Sequence, residues 1–261
     1  MRVLALGDIV GRPGRHGLKI TLPELRAELQ PDLVIANGEN AAGGIGLTKK
    51  VAEEIWEAGV DIITSGNHIW SKRDIYPVLE QDQRLLRPAN YPPGAPGYGW
   101  TIWCGHGYTV AIVNLIGRTY LEPLGCPFRF IDSLLPQIKQ HTNLVVIDFH
   151  AEATSEKIAF GWYVDGRASM VFGTHTHVQT ADNRILPQGT AYITDLGMTG
   201  PRDGVLGMDR EVVIQRFLTQ LPARFKVAAG AVDIMGIWAD IDPATGQTFR
   251  TERLYRTVSL T

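Results

Sequence analysis

The chain contains 261 residues and carries 25 lysine and arginine residues against 27 aspartate and glutamate residues, so its formal net charge is −2. Hydrophobic residues make up 44% and charged residues 20% of the chain, a globular composition that argues against intrinsic disorder. The near-neutral charge argues against a protein that coats duplex nucleic acid, and the length suits a single α/β domain over residues 1–261.

Five short apolar runs predict buried β-strands, because each is aliphatic or β-branched and too short to be a helix. Polar side chains follow every one of these runs. The five predicted strands cover residues 3–6, 33–36, 62–63, 144–147 and 170–172.

Helical patterns separate the early strands. Apolar spacing predicts a helix over residues 22–29, with Pro23 in its first turn. Thr48 is a candidate N-cap for a second helix that ends near Glu57, and a capping-box pattern predicts a third helix over residues 71–81. Alternating strands and helices predict a parallel sheet with right-handed crossovers.

The remainder of the chain is richer in β-structure. A loop with several prolines and glycines covers residues 91–100, and residues 101–104 and 109–115 follow it as predicted strands. Near the C-terminus, residues 228–241 and 248–257 predict a hairpin, which is compatible with a second sheet.

Two cysteines, Cys104 and Cys126, are too few for a disulfide framework. The first apolar run stops at Asp8, which is too early for a secretory signal, and no uncharged stretch has the length of a membrane span. We therefore expect a cytoplasmic protein without a membrane partner.

The polar side chains that follow the strands form a donor set for metal ions. Ligands of α/β sheets bind beyond the carboxyl ends of the strands, and carboxylate, amide and imidazole groups together suit manganese, iron or zinc. Glu39 is placed to bridge two ions. The residues at these predicted strand ends are Asp8, Glu39, Asn40, Asn67, His68, His150, His175 and His177.

The same residue types also have ordinary structural interpretations. A single Asp after a strand is more often a turn or helix cap, and an isolated histidine is more often an ordinary surface or core residue. We apply this interpretation, of ordinary surface or core histidines, to the three histidines outside the strand ends, His16, His106 and His141.

Two other functional motifs are not supported by the sequence. Gly7, Gly11 and Gly14 follow the first strand, but their spacing differs from the dinucleotide-binding fingerprint, and a nucleophilic serine elbow is absent.

Seven motifs in a fixed order carry a resemblance to a known family. They are GDIVGR (7–12), NGENAA (37–42), SGNHIW (65–70), RPANYP (87–92), DFHAE (148–152), GTHTH (173–177) and DLGMTG (195–200). With these motifs the chain resembles the calcineurin-like metallophosphoesterases, and within them the bacterial YmdB-type subgroup. Val10 stands where the broad superfamily has a histidine, Glu39 replaces the usual bridging aspartate, and Ile69 replaces an acid. These departures resemble the subgroup pattern.

The resemblance implies a fold and a metal centre. The implied fold is a two-sheet α/β sandwich flanked by helices, with four layers in the order αββα. Two metal ions per chain, iron or manganese, are implied. One would bind Asp8, Glu39, Asn40 and His177, and the other Glu39, Asn67, His150 and His175.

The resemblance also implies an activity. The subgroup is linked with hydrolysis of 2′,3′-cyclic nucleotides, here to 3′-phosphates, by a hydroxide that bridges the metal ions, with His68 as the proton donor. The expected partner is a small phosphate ester, most simply a cyclic nucleotide, and the sequence leaves homo-oligomerisation open. The alternatives are a phosphomonoesterase and a metal-bound regulatory or nucleotide-sensing protein with little turnover. A dinucleotide-binding oxidoreductase is disfavoured by the missing glycine fingerprint.

Overall fold

A computed structural model describes residues 1–260 of the chain and contains two β-sheets with helices on their outer faces. The helices are α1 (Gly11–Leu29), α2 (Lys49–Glu57), α3 (Tyr76–Gln81), α4 (Pro127–Ile138), α5 (Thr154–Tyr163) and α6 (Arg210–Thr219). The strands are β1 (Arg2–Leu6), β2 (Asp8–Ile9), β3 (Leu33–Asn37), β4 (Ile62–Thr64), β5 (Trp100–Gly105), β6 (Tyr108–Ile116), β7 (Val145–His150), β8 (Met170–Thr174), β9 (Arg184–Ile185), β10 (Ala191–Ile193), β11 (Met198–Pro201), β12 (Val232–Ile241) and β13 (Thr248–Val258).

Both sheets are mixed. The first has the order β2-β11-β12-β1-β3-β4, with β13 paired to β12, and the second has the order β5-β6-β7-β8-β10-β9. The predicted parallel pairing is correct for β1, β3 and β4 and for β6, β7 and β8. The predicted C-terminal hairpin adds antiparallel pairing to the first sheet, because β12 runs antiparallel to β1, β11 and β13.

Three apolar layers hold the sheets and helices together. Side chains alternate along β1, so that Val3 and Ala5 face the second sheet whereas Leu4 and Leu6 pack in the layer beneath α1 and α2. A third layer lies between the second sheet and helices α4 and α5. This arrangement confirms the expected four-layer αββα sandwich.

Helix α1 is longer than the sequence pattern predicts. It begins at Gly11 rather than near residue 22, and Pro23 lies in its interior. Glycines at 11, 14 and 17 weaken the helical pattern, but they let the helix approach the first sheet closely. A Cβ atom added at Gly14 would lie 2.2 Å from the carbonyl oxygen of Thr199 in β11.

The other helix predictions have mixed outcomes. Thr48 caps α2 as predicted, since its side chain accepts a hydrogen bond from the backbone amide of Val51 at 3.3 Å. The helix predicted over residues 71–81 begins only at Tyr76, after two short 3₁₀ turns, with Pro77 in its first turn. No side chain caps these turns, so the capping-box prediction is wrong.

The strands of the middle and C-terminal regions agree with the predicted hairpins. β5 and β6 pair antiparallel around a turn in which His106 and Gly107 both adopt positive φ. The C-terminal hairpin joins the first sheet, whereas the middle of the chain builds the second. None of the described helices has the length and apolarity that crossing a membrane requires.

We predict that Gly14→Ala destabilises the protein. Alanine at an exposed helical glycine stabilises by up to about 1 kcal/mol, but here the methyl group would meet a backbone oxygen, so we expect a loss of about 1–3 kcal/mol. Denaturant unfolding measures the change, with Glu24→Ala on the exposed face of α1 as the control. An unchanged or increased free energy of unfolding for Gly14→Ala would contradict the close approach.

Candidate metal centre

The structure brings the predicted strand-end side chains into one cleft. They come from the segments that follow β1, β3 and β4 of the first sheet and from the ends of β7 and β8 of the second. Asp8, Glu39 and His150 are fully buried, and Asn40 and His177 are nearly so. The complete set is Asp8, Glu39, Asn40, Asn67, His68, His150, His175 and His177.

One half of the cleft is centred on His150. Its Nε2 atom lies 3.3 Å from Glu39 Oε1, 3.1 Å from Asn67 Oδ1 and 3.0 Å from His175 Nδ1. Ligand atoms of Glu39, His150 and His175 all lie within 4.8 Å of one another. Four atoms that can serve as metal ligands therefore converge on one point, and a cation would satisfy them once His150 Nε2 gives up its proton.

The other half of the cleft contains an unsatisfied carboxylate oxygen. Asp8 Oδ1 is buried without a hydrogen-bond partner and lies 3.8 Å from His177 Nε2. Asp8 Oδ2 accepts a hydrogen bond from the backbone amide of His175 at 3.1 Å. Because leaving a buried carboxylate oxygen unpaired is costly, this position also fits a cation.

Asn40 is oriented differently from its predicted role. Its Nδ2 atom lies 3.3 Å from Glu39 Oε1 and 3.0 Å from His177 Nε2, whereas its Oδ1 atom lies 2.8 Å from His68 Nδ1. The amide group would have to turn over for its oxygen to bind a metal ion beside Glu39. The ligand role of Asn40 therefore stays a prediction, and its contact with His68 is an additional feature.

Side chains behind His150 fix the direction of its ring. His150 Nδ1 lies 2.9 Å from Thr174 Oγ1, and that hydroxyl donates to Asp148 Oδ1 at 2.7 Å. Because its proton is used in this bond, the hydroxyl oxygen can only accept from His150 Nδ1. A neutral His150 therefore carries its proton on Nδ1, and the lone pair of Nε2 points into the cleft. Thr64 and Asn37 also donate to Asp148, and burial raises the pKa of this carboxyl group to about 7.

The buried charges of the cleft compensate one another. Burial alone would raise the pKa of Glu39, but His150 and then His68 outweigh it and lower the pKa to about 2. Burial would lower the pKa of His150, but Glu39 raises it to about 9. Burial and the neighbouring His150 lower the pKa of His175 to about 3. The protein without metal thus contains a Glu39–His150 ion pair beside a neutral His175.

Two of the histidines have a strained backbone. His175 has a φ angle of 103° and His177 has one of 63°, in the region that glycine favours. Such conformations cost on the order of 1–3 kcal/mol each and cluster at functional sites. His177 Nδ1 donates to the carbonyl oxygen of Leu206 at 3.1 Å, which directs its Nε2 atom towards Asp8.

His68 lies at the mouth of the cleft. Its backbone amide donates to Glu39 Oε2 at 3.0 Å, and its side chain is 33% exposed. The open space beside it measures about 300 Å³ and is also lined by Glu152, Leu206 and Met208. This volume is at the lower end of the range for small-molecule sites.

Sequence reasoning missed several side chains of this centre. Glu152 Oε2 lies 2.9 Å from His175 Nε2, and Thr174 and Asp148 orient His150. The alternation of β7 places Asp148 and His150 on one face of the strand, which is a signal that the sequence contains. The role of Thr174 depends on a contact between two strands and has no local signal.

The chain is similar to several known proteins over nearly its whole length. A family model described as YmdB-like protein matches residues 4–254. A Bacillus subtilis protein named 2′,3′-cyclic-nucleotide 2′-phosphodiesterase is 54% identical over 97% of this chain and 96% of its own length. A solved structure of a hypothetical protein from Thermus thermophilus has a TM-score of 0.92 at 41% identity, covering 98% of this chain and 99% of that one. A Mycoplasma pneumoniae structure described as a novel phosphatase has a TM-score of 0.93 at 36% identity, covering 98% of this chain and 93% of that one.

We predict that the stability of the metal-free protein depends on pH through His150. Its pKa in the folded protein is about 9 against an ordinary 6.5, so its stabilisation is complete below pH 6.5 and is lost as the pH rises through 9. Glu39→Gln removes the carboxylate that raises this pKa. The decline in the free energy of unfolding between pH 6.5 and 9 should therefore be smaller in the variant.

Denaturant unfolding in the presence of a chelator measures this difference. Asp240→Asn breaks the ion pair with Arg2 at the start of β1, and this control should keep the wild-type pH dependence. Equal declines for the wild-type chain and Glu39→Gln would contradict the ion pair.

Proposed function

The chain belongs to the YmdB-like protein family, and we propose that it is a metal-dependent phosphodiesterase that hydrolyses 2′,3′-cyclic nucleotides. The name of the Bacillus subtilis relative supports this substrate class. The observation that carries the proposal is the close grouping of possible ligand atoms from the buried Glu39, His150 and His175. An unsatisfied oxygen of Asp8 is buried in the same cleft. Such a site fits cations that would bind a phosphate ester.

The proposed centre would hold two ions, iron or manganese, with Glu39 as a ligand of both. When bound, divalent ions supply Lewis-acid chemistry, since they neutralise charge on phosphoryl oxygens and lower the pKa of water. The chemistry of the donor set supports this choice, because imidazole, carboxylate and amide groups suit these metals. The proposed ligands are Asp8, Glu39, Asn40 and His177 for one ion, and Glu39, Asn67, His150 and His175 for the other.

His68 is the proposed proton donor to the leaving group. Its Nδ1 atom lies 2.8 Å from Asn40 Oδ1, and an amide oxygen can only accept a hydrogen bond. With the amide in this orientation Nδ1 keeps its proton, and the proton that leaves the imidazolium comes from Nε2. Binding of a metal ion by Asn40 Oδ1 would turn the amide over and remove this contact, so the contact and the ligand role of Asn40 are alternatives. In the proposed reaction water adds to phosphorus, the P–O2′ bond breaks, and the 2′ oxygen takes this proton, leaving a 3′-phosphate. The proton that the water releases passes to solvent, from which His68 regains its own.

The buried carboxylates position this chemistry as well as binding ions. Glu39 Oε2 accepts a hydrogen bond from the backbone amide of His68, so a residue that would hold the proposed ions also places the proposed proton donor. Asp8 similarly holds the backbone amide of His175. Glu39 would therefore connect ion binding with the placement of the proton donor, and Asp8 would connect it with the placement of His175.

A phosphomonoesterase is the second candidate, because the Mycoplasma pneumoniae structure is described as a phosphatase. The two activities use the same ions and differ in whether the substrate has one or two ester bonds. Relative rates on matched mono- and diesters separate them.

The direct test is elemental analysis of the purified chain, combined with hydrolysis assays on 2′,3′-cyclic nucleotides, other diesters and monoesters. We expect two transition-metal ions per chain and fastest turnover of 2′,3′-cyclic nucleotides to 3′-phosphates. Faster turnover of monoesters would favour the second candidate. Less than one ion per chain after loading, with no hydrolysis of any ester, would contradict both.

We predict that His68→Ala lowers kcat on 2′,3′-cyclic nucleotides by about 10²–10⁴-fold, because the leaving oxygen loses its proton donor. Metal content should stay at the wild-type level, since His68 is not a proposed ligand. His141→Ala, at an exposed histidine between α4 and β7, is the matched control and should keep full activity. Normal turnover by metal-loaded His68→Ala would exclude the proton-donor role.

A further inference from the structure

The strained loop that carries His175 and His177 is held by a residue outside the predicted site. Thr176, which lies between the two histidines, donates its backbone amide to Asp195 Oδ2 at 3.1 Å. Asp195 follows β10, so this bond joins the end of one strand to the loop that follows β8. The bond holds Thr176, whose two neighbours in the chain both have positive φ angles.

Asp195 also forms a fully buried ion pair. Its Oδ2 atom lies 2.6 Å from Lys157 Nζ of α5, and both side chains are 1% exposed. Removing two charges from water costs free energy that the attraction between them often only balances. A buried ion pair is therefore weak evidence for a role in overall stability. The contacts of this pair indicate a local role instead.

The position of Asp195 is fixed by several further contacts. Its Oδ1 atom accepts a hydrogen bond from the backbone amide of Gly197 at 2.8 Å. Its backbone amide donates to Thr180 Oγ1 at 2.9 Å, and its carbonyl oxygen accepts from the Thr180 amide at 3.1 Å. These contacts hold Asp195 so that its Oδ2 atom lies next to the Thr176 amide.

The aliphatic stem of Lys157 packs against β8. A Cβ atom added at Gly173, in β8, would lie 3.0 Å from Lys157 Cδ, so the lysine stem passes directly against the strand that leads into the loop. The ammonium group at the end of this stem shares Oδ2 of Asp195 with the Thr176 amide. The pair thus connects α5, β8, β10 and the loop.

We propose that Lys157 and Asp195 are positioning residues that hold the loop of residues 175–177 in its strained conformation, so that His175 and His177 point into the cleft. The effect on metal binding rests on the proposed function, whereas the hold on the loop does not. The alternative is that the pair only stabilises the packing of α5 against the second sheet.

Hydrogen–deuterium exchange of the metal-free full chain separates these two roles. We expect Asp195→Asn to raise exchange in a peptide spanning residues 173–179 by about tenfold or more, with little change elsewhere. Asp240→Asn, which breaks the partly buried pair with Arg2 at the start of β1, is the matched control and should leave this peptide unchanged. Exchange that stays at the wild-type level in the loop, or rises equally over the whole chain, overturns the proposal.

A second variant guards against misfolding from an unpaired buried charge. The double variant Lys157→Met/Asp195→Asn removes both charges together. The Gly197 and Thr176 amides donate to different oxygens of the carboxylate, and a side-chain amide presents an oxygen at only one of these two positions. We therefore expect the double variant to fold with faster exchange confined to the loop. Wild-type exchange in a folded double variant would contradict the positioning role.

Calorimetric titration with Mn²⁺ alone measures the consequence for the two histidines. The Kd of the double variant should rise by about 10–100-fold, as is typical when a residue that orients metal ligands is lost, and that of Asp240→Asn should not change. Wild-type Mn²⁺ affinity in a variant with a loosened loop would overturn the link to metal binding. Absence of Mn²⁺ binding by the wild-type chain would contradict the proposed function, and the exchange result would still decide whether the pair holds the loop.

Discussion

Two carboxylates, Asp8 and Glu39, are fully buried where the two sheets meet, and the surrounding structure is organised by the free-energy cost of burying their charge. Glu39 is compensated in the metal-free protein by His150 and by the backbone amide of His68. Asp8 is compensated only in part, since burial raises its pKa and Oδ1 lacks a hydrogen-bond partner. Cations are the chemical species that would complete both environments.

The four-layer fold supplies the rigidity that this compensation needs. Ligand-bearing segments leave the carboxyl ends of strands in both sheets, and hydrogen bonds cross between the sheets directly beneath them. Asn37 of β3 donates to Asp148 of β7 at 3.2 Å, and Thr64 of β4 donates to the same carboxyl group. Thr174 then links Asp148 to the ring of His150. A shift between the sheets would therefore reach the proposed ligands through three hydrogen bonds.

The sequence predicts the elements and the strand-end residues of this site better than its supporting contacts. Short apolar runs that end in polar groups identify the strands and place His150 and His175 at one edge, because that signal is local. Helix α1 is underestimated since Gly14 and Gly17 weaken its pattern, and only the packed sheet shows why glycine is needed there. The Lys157–Asp195 contact joins residues 38 positions apart and depends on the tertiary fold alone.

Anomalous diffraction from crystals of the Mn²⁺-loaded chain would show whether Glu39 lies between two metal ions, as we propose. We expect two anomalous peaks in the cleft, one on each side of the Glu39 carboxylate, with Asp8 and His177 beside the first and His150 and His175 beside the second. A single peak, or peaks that do not contact Glu39, would contradict the claim that this buried carboxylate bridges two ions.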